Sequence, residues 1–230
     1  MPDHTHTHAP LDAFRMAAFR RVLQHHGRRF GTRWDIAPPQ PVHSRAIARR
    51  TARYNFLNAV RAGLTTDPLL WPWSTFRDAL GLVHDPWGGP ATIRDVLGYT
   101  PGQMFWFTVD DRSCSDSARV PPAHTLASTG LVATFEAVVS ACASSLRCRP
   151  DDRYRRGHPC RATFVGLATE LGGSPRSSIA AAVGVSVRAL HSLRARAEPS
   201  AIAVAKRCLV DPRLHAWCAP PGRQLPAFGS

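Results

Sequence analysis

Glycine and proline divide this 230-residue chain into pieces of helix length, and several pieces carry apolar residues at helical spacing. Residues 11–26, LDAFRMAAFRRVLQHH, set Leu11, Phe14, Ala18 and Val22 on one face with arginines opposite, the pattern of a helix lying on a core. APPQP at 37–41 ends that unit. A second helix is predicted from about Ser44 to Ala62, with Gly63 as its stop. STFRDALG reads as a short helix capped by Ser74 and closed by Gly81. Residues 83–128 are rich in Pro, Gly, Ser and Asp around one apolar patch, MFWFTV at 104–109, and read as a linker with some local structure. Beyond it, LVATFEAVVSACASSLR (131–147) is an amphipathic helix, a helical block covers 160–197, and a weaker helix follows from about Ser200 to Leu209. There is no internal repeat.

Charge has a spatial pattern along the chain. The net charge is +13, almost all of it arginine, Lys206 being the only lysine. Residues 1–81 carry +7, residues 82–150 carry −1 and residues 151–230 carry +7. Two basic segments around a neutral middle suggest two polyanion-binding units and a spacer. Codon usage in a GC-rich genome, which raises Arg, Ala, Pro and Gly together, is the competing explanation.

The six cysteines, at 114, 142, 148, 160, 208 and 218, form no C-x-x-C pair and no zinc-ribbon spacing. Cys142 and Cys148 lie in an apolar helical run and read as ordinary buried thiols. No apolar stretch follows a basic start in the first twenty residues, and nothing approaches a membrane span. The expectation is a cytoplasmic protein with no membrane partner.

The chain opens MPDHTHTHAP, with His4, His6 and His8 at period two. On a strand they would share one face and could hold one ion. On these residues alone a solvated tail is the stronger reading. Further on, Tyr54 and Asn58 stand four residues apart on the predicted helix, with Arg50, Arg53 and Arg61 nearby. A phenol and an amide on a basic face can present a nucleophile and an oxygen ligand to a phosphate, although a helical tyrosine more often serves packing.

At this stretch the sequence resembles a known family, the REP-associated tyrosine transposases, which are single-tyrosine HUH transposases of bacteria. Their helix reads approximately Y-[IV]-H-L-N-P-V-R-A-G-L, followed by D-P-x-x-[WY]-P-W-S-S-[YF]-R. This chain has YNFLNAVRAGL from Tyr54 to Leu64 and DPLLWPWSTFR from Asp67 to Arg77. The family's second hallmark, [ML]-P-[ND]-H-h-H, is similar to MPDHTH at the start, and the resemblance covers roughly residues 1–85.

The resemblance implies Tyr54 as the nucleophile, with His4, His6 and Asn58 as ligands of a divalent cation, Mg²⁺ or Mn²⁺. It implies cleavage and rejoining of single-stranded DNA through a 5′-phosphotyrosine. His8, His25 and His26 have no metal role in it. Family members carry a strand, a helix and another strand ahead of the histidine strand, whereas this chain starts at the motif's own methionine. Thr5 and Thr7 are also polar for an interior strand, Ala59 replaces a usual proline and Phe56 a frequent histidine. The family's catalytic domain is therefore expected only in part. Trp71, Pro72 and Trp73 read as packing, with base stacking as the lesser alternative.

RSSIAAAVGVSVRALHSLRARA (176–197) reads as a helix-turn-helix. Ala180 is the small residue of the first helix, Gly184 allows the turn, and Val185, Leu190 and Leu193 anchor the second helix, with Ile179 and Val183 inward. Ser186 is a candidate cap for that second helix. Val187, Arg188, His191, Ser192 and Arg194 are expected on its outer face, with Arg188 for bases and Arg194 and Arg196 for phosphates. A helical hairpin without DNA is the alternative.

The expected fold class is α+β. Residues 1–85 form a partial ferredoxin-like HUH domain, mostly helical as it stands, and 86–128 a linker. Residues 129–218 form an all-α helix-turn-helix domain, and 219–230 a tail. The expected function is a transposase-like DNA-binding protein acting on single-stranded or hairpin DNA, with duplex held by the helix-turn-helix. A homodimer stays open. The runner-up is an inactive, truncated or domesticated copy that binds DNA through the helical domain alone.

Overall fold

The computed structural model describes residues 13–31, 40–86, 89–122 and 133–215. The described residues are mostly helical, and no strand occurs among them. The helical part of the expected fold class is therefore present. His4 and His6, with the strand expected to carry them, lie outside the described residues.

Contacts divide the chain into two compact units, Met1–Asn55 and Phe56–Ser230, with the boundary inside one helix. The first unit holds α1 (Ala13–Phe30) and the first part of α2 (Arg45–Arg61). Ser44 starts α2 by accepting a hydrogen bond from the Ile47 amide at 3.3 Å, the side-chain service that favours serine at such a position.

In the second unit the rest of α2 buries Phe56, Leu57, Ala59 and Val60. Asp67 then caps a short 3₁₀ turn, Pro68–Leu70, by accepting from the Leu69 amide at 2.7 Å. The Ser74 hydroxyl accepts from the Phe76 amide at 3.3 Å, ahead of α3 (Phe76–Ala79). The helix expected there is thus a single turn. Phe76 lies 5.2 Å from Phe56 and 6.5 Å from Phe105, ring centre to ring centre.

The segment read as a linker contains α4 (Pro90–Leu97) and α5 (Pro101–Val109). The α5 start has a complete capping box: Thr100 accepts from the Gln103 amide at 3.3 Å, and the Gln103 side chain accepts from the Thr100 amide at 2.9 Å. The apolar patch is why this part is ordered. Met104, Phe105 and Val109 are buried by it, while Phe107 is half-buried and Trp106 is 50% exposed.

The C-terminal part is built on α6 (Phe135–Ser145) and α7 (Pro159–Leu171), followed by α8 (Arg176–Ala182), α9 (Val187–Ala195), α10 (Pro199–Val210) and α11 (Pro212–His215). Helix α10 packs along α6 and also against α7. At Gly166 on α7 an added Cβ would stand 2.6 Å from Ile202 Cδ1 and 2.9 Å from Ala197 Cβ. Only a glycine permits that approach.

One polar clamp ties the Asp67–Arg77 segment to this helical layer. Arg77 is 2% exposed, yet its guanidinium donates to the Leu69 carbonyl (2.8 Å), the Ser144 hydroxyl (3.0 Å) and the Leu214 carbonyl (3.0 Å). Arg213 Nη1 reaches back to Asp67 at 3.2 Å, and buried Asp78 pairs with Arg147. Buried charges persist only with such partners. Among the described residues no helix is long and apolar enough to cross a membrane.

Candidate nucleic-acid interface

Helices α7, α8 and α9 pack on one another as a three-helix group. Of the inward positions expected, Ile179, Ala180, Val183 and Leu190 are buried, and Val185 and Leu193 are half-buried. Gly184 takes φ +63° between α8 and α9, a left-handed conformation that costs a Cβ-bearing residue about 1 kcal/mol. The turn is closed by backbone bonds from Gly184 to Ala181 (3.1 Å) and from Val185 to Ala180 (3.0 Å). Two arginines brace it from outside the hairpin. Arg153 donates to the Ala182 carbonyl at 3.2 Å and Arg161 to the Val183 carbonyl at 2.9 Å.

The opposite face of α9 is open. Val187, Arg188, His191, Ser192 and Arg194 are exposed, as is Arg196 just past the helix end. Arg188 sits in the first turn, where a recognition helix addresses bases, and Arg194 and Arg196 sit at its far end. Two details differ from the sequence reading. Ser186 occupies the N-cap position with extended backbone, but its side chain makes no cap hydrogen bond. Its main chain serves instead, the Ala189 amide donating to the Ser186 carbonyl at 3.0 Å. Ser192 turns its hydroxyl onto the Ala189 carbonyl at 3.1 Å, so it offers a ligand its lone pairs and not its proton.

Helix α2 carries Tyr54 and Asn58 one turn apart. Tyr54 is 41% exposed, unlike a core tyrosine, while Asn58 is half-buried. Arg50 is exposed and Arg53 half-buried. Arg61 donates to the Asp111 carboxylate at 2.8 Å. The Ser113 hydroxyl and then Arg61 hold that carboxyl well below the usual range, so Arg61 enters any phosphate contact already paired.

The DPLLWPWSTFR segment behaves as structure. Asp67, Phe76 and Arg77 are buried and spent on caps and clamps. Pro72 is buried and Trp71 half-buried, in keeping with packing, while Trp73 is 59% exposed.

One constellation escaped the sequence reading. Cys148, Asp152 and His158 place their candidate ligand atoms within 4.8 Å of one another. The neighbouring Cys160 thiol and burial push the Cys148 thiol far above an ordinary one. The signal was present as Cys148-x₃-Asp152-x₅-His158-x-Cys160. It mixes three residue types and contains no C-x-x-C, the spacing by which cysteine sites are usually found.

No family model, curated protein or solved structure matches the chain.

Proposed function

We propose that this chain is a duplex-DNA-binding protein that reads the major groove with α9. The observation that carries the reading is the exposed row of Arg188, His191 and Arg194 opposite a buried anchor of Ile179, Val183 and Leu190 across a glycine turn. An arginine in the first turn of such a helix can pair bidentately with a guanine edge, and a valine such as Val187 can meet a thymine methyl. Arg194 and Arg196 supply the phosphate contacts that fix register. The net +7 of residues 151–230 adds the sequence-independent attraction.

Binding of the full chain to duplex DNA, followed by fluorescence anisotropy across a salt series, tests this. Log affinity should fall linearly with log salt, with a slope of about −0.9 for each phosphate neutralised. Affinity that ignores salt would reject it.

A second reading adds strand cleavage, because Tyr54 is 41% exposed on α2 and Asn58 follows it four residues later. In this reading the Tyr54 oxygen bonds to a DNA phosphorus, and the 3′ oxygen leaves and is protonated. A 5′-phosphotyrosine and a free 3′-hydroxyl result. Because that linkage retains the energy of the bond it replaced, a second 3′-hydroxyl can reverse it. A divalent cation, Mg²⁺ or Mn²⁺, held by His4, His6 and Asn58 would polarise the phosphate; of these ligands only Asn58 is among the described residues. Tyr54→Phe decides the matter. An SDS-resistant adduct with hairpin DNA must form with the native chain and vanish in the variant.

A further inference from the structure

We propose that Cys148, Asp152, His158 and Cys160 form a structural site for a soft divalent cation, of the zinc type, that staples the end of α6 to the start of α7. The four residues come from three consecutive pieces: the loop after α6, the 3₁₀ turn Pro150–Tyr154 and the first turn of α7. Three of the four ligand atoms, on Cys148, Asp152 and His158, are already within 4.8 Å of one another, and the neighbouring Cys160 thiol is the group that acts most strongly on the Cys148 thiol. A tetrahedral ion with bonds of about 2.0–2.3 Å needs ligand atoms about 3.3–3.8 Å apart, so Cys148, Asp152 and His158 need only a small side-chain adjustment, and Cys160 must turn in as the fourth ligand.

The donor set selects the metal. Two thiolates and an imidazole favour zinc over Mg²⁺ or Mn²⁺, which prefer oxygen. Four protein ligands fill a tetrahedron and leave no open position, the mark of a structural site. Two ligands now do local work that binding would alter. Asp152 accepts from the Arg149 amide at 2.9 Å with one oxygen, leaving the other for the ion. His158 Nδ1 accepts from the Cys160 amide at 3.2 Å. An ion on Nδ1 displaces that hydrogen, and an ion on Nε2 moves the ring proton to Nδ1, so either way one helix-cap hydrogen bond is exchanged for a metal bond. Both thiols lose their protons to solvent on binding.

The position gives the site a purpose. Arg153 lies one residue after Asp152 and Arg161 one residue after Cys160, and these two arginines hold the carbonyls at the end of α8 and the turn before α9. An ion fixing Asp152 and Cys160 fixes the roots of both braces.

The test uses the reduced full chain with Zn²⁺ and with Co²⁺ as probes. Native mass spectrometry should show one zinc per chain, and cobalt should give a thiolate charge-transfer band with tetrahedral ligand-field absorption. Cys148→Ser and His158→Asn should each weaken zinc binding by about 10- to 100-fold or more, while Cys114→Ser, in the α2 packing cluster, should bind as the native chain does. Should a variant not fold, alkylation of the native chain decides: zinc should shield Cys148 from iodoacetamide. Failure of the reduced chain to take up zinc at micromolar concentrations overturns the proposal. So does unchanged binding in both ligand variants, or unshielded Cys148 in the presence of zinc. Recovery of Cys148 and Cys160 only as a disulfide, with no metal taken up after reduction, overturns it as well.

Discussion

Arg77 Nη1 donates to the main-chain carbonyl of Leu214 at 3.0 Å, joining positions 137 residues apart. The same guanidinium holds the Leu69 carbonyl and the Ser144 hydroxyl, so it is the knot between the Asp67–Arg77 segment, α6 and α11. Arg77→Met fills the space but leaves the buried Leu69 carbonyl unserved and the Leu214 carbonyl with the Ser144 hydroxyl alone, an unserved buried acceptor being worth about 1–3 kcal/mol. The expected loss is about 1–3 kcal/mol, read by urea unfolding with an unchanged m-value. Trp73→Ser, at an exposed neighbour in the same motif, should change stability far less. Equal losses in the two would contradict the clamp.

Stability should depend on pH through His215. The ring is fully buried, and burial first, with help from the nearby Arg77 charge, drives its pKa down to about 4 against the pull of Asp211. Between about pH 6.5 and 4 the unfolded chain binds a proton that the folded chain refuses, so stability rises with pH across that window. The contribution is up to about 3 kcal/mol. Asp67, whose burial raises its carboxyl, acts with the opposite sign in the acid range. The comparison with His215→Phe isolates the histidine: the native chain should lose more stability than the variant from pH 7 to pH 4. Parallel pH curves would refute the assignment.

Two glycines inside helices should respond oppositely to alanine. At Gly166 the new Cβ meets the Ala197 Cβ at 2.9 Å, an atom that cannot swing away. Overpacking of about 1–3 kcal/mol then outweighs the gain of about 1 kcal/mol in helix propensity. At Gly102, in the first turn of α5, nothing lies within 4 Å of the new Cβ, so only the gain remains. Thermal melts should show Gly166→Ala lowered and Gly102→Ala raised or unchanged. A raised melting temperature for Gly166→Ala would mean that α7 and α10 are less closely packed than described.

What could be read in advance was whatever depends on neighbours in sequence. The α8–turn–α9 hairpin was legible because Ala180, Gly184 and Leu190 act within one short stretch. The starts of α2 and α3 were legible from Ser44 and Ser74 for the same reason. The role of Arg77 was not, since two of its acceptors arrive with α6 and α11 from the far end of the chain. The order of residues 90–109 was hidden by their proline and glycine content. There Pro90 and Pro101 open helices, as proline does at a first turn. The cysteine constellation failed for a third reason: Cys148, Asp152 and His158 are of three types with no motif spacing, and only the fold of the 3₁₀ turn between α6 and α7 brings them together.

The central claim is that α9 reads duplex DNA, and Arg188→Ala tests it most directly. The side chain is exposed, so its removal leaves the fold intact. A selected duplex should lose about 1–3 kcal/mol of binding, roughly 5- to 150-fold, at one base position, while non-specific binding falls much less. Arg119→Ala, an exposed arginine paired with Asp116 away from α9, should bind as the native chain does. Equal affinity of the Arg188→Ala and native chains for every duplex at moderate salt would contradict the account.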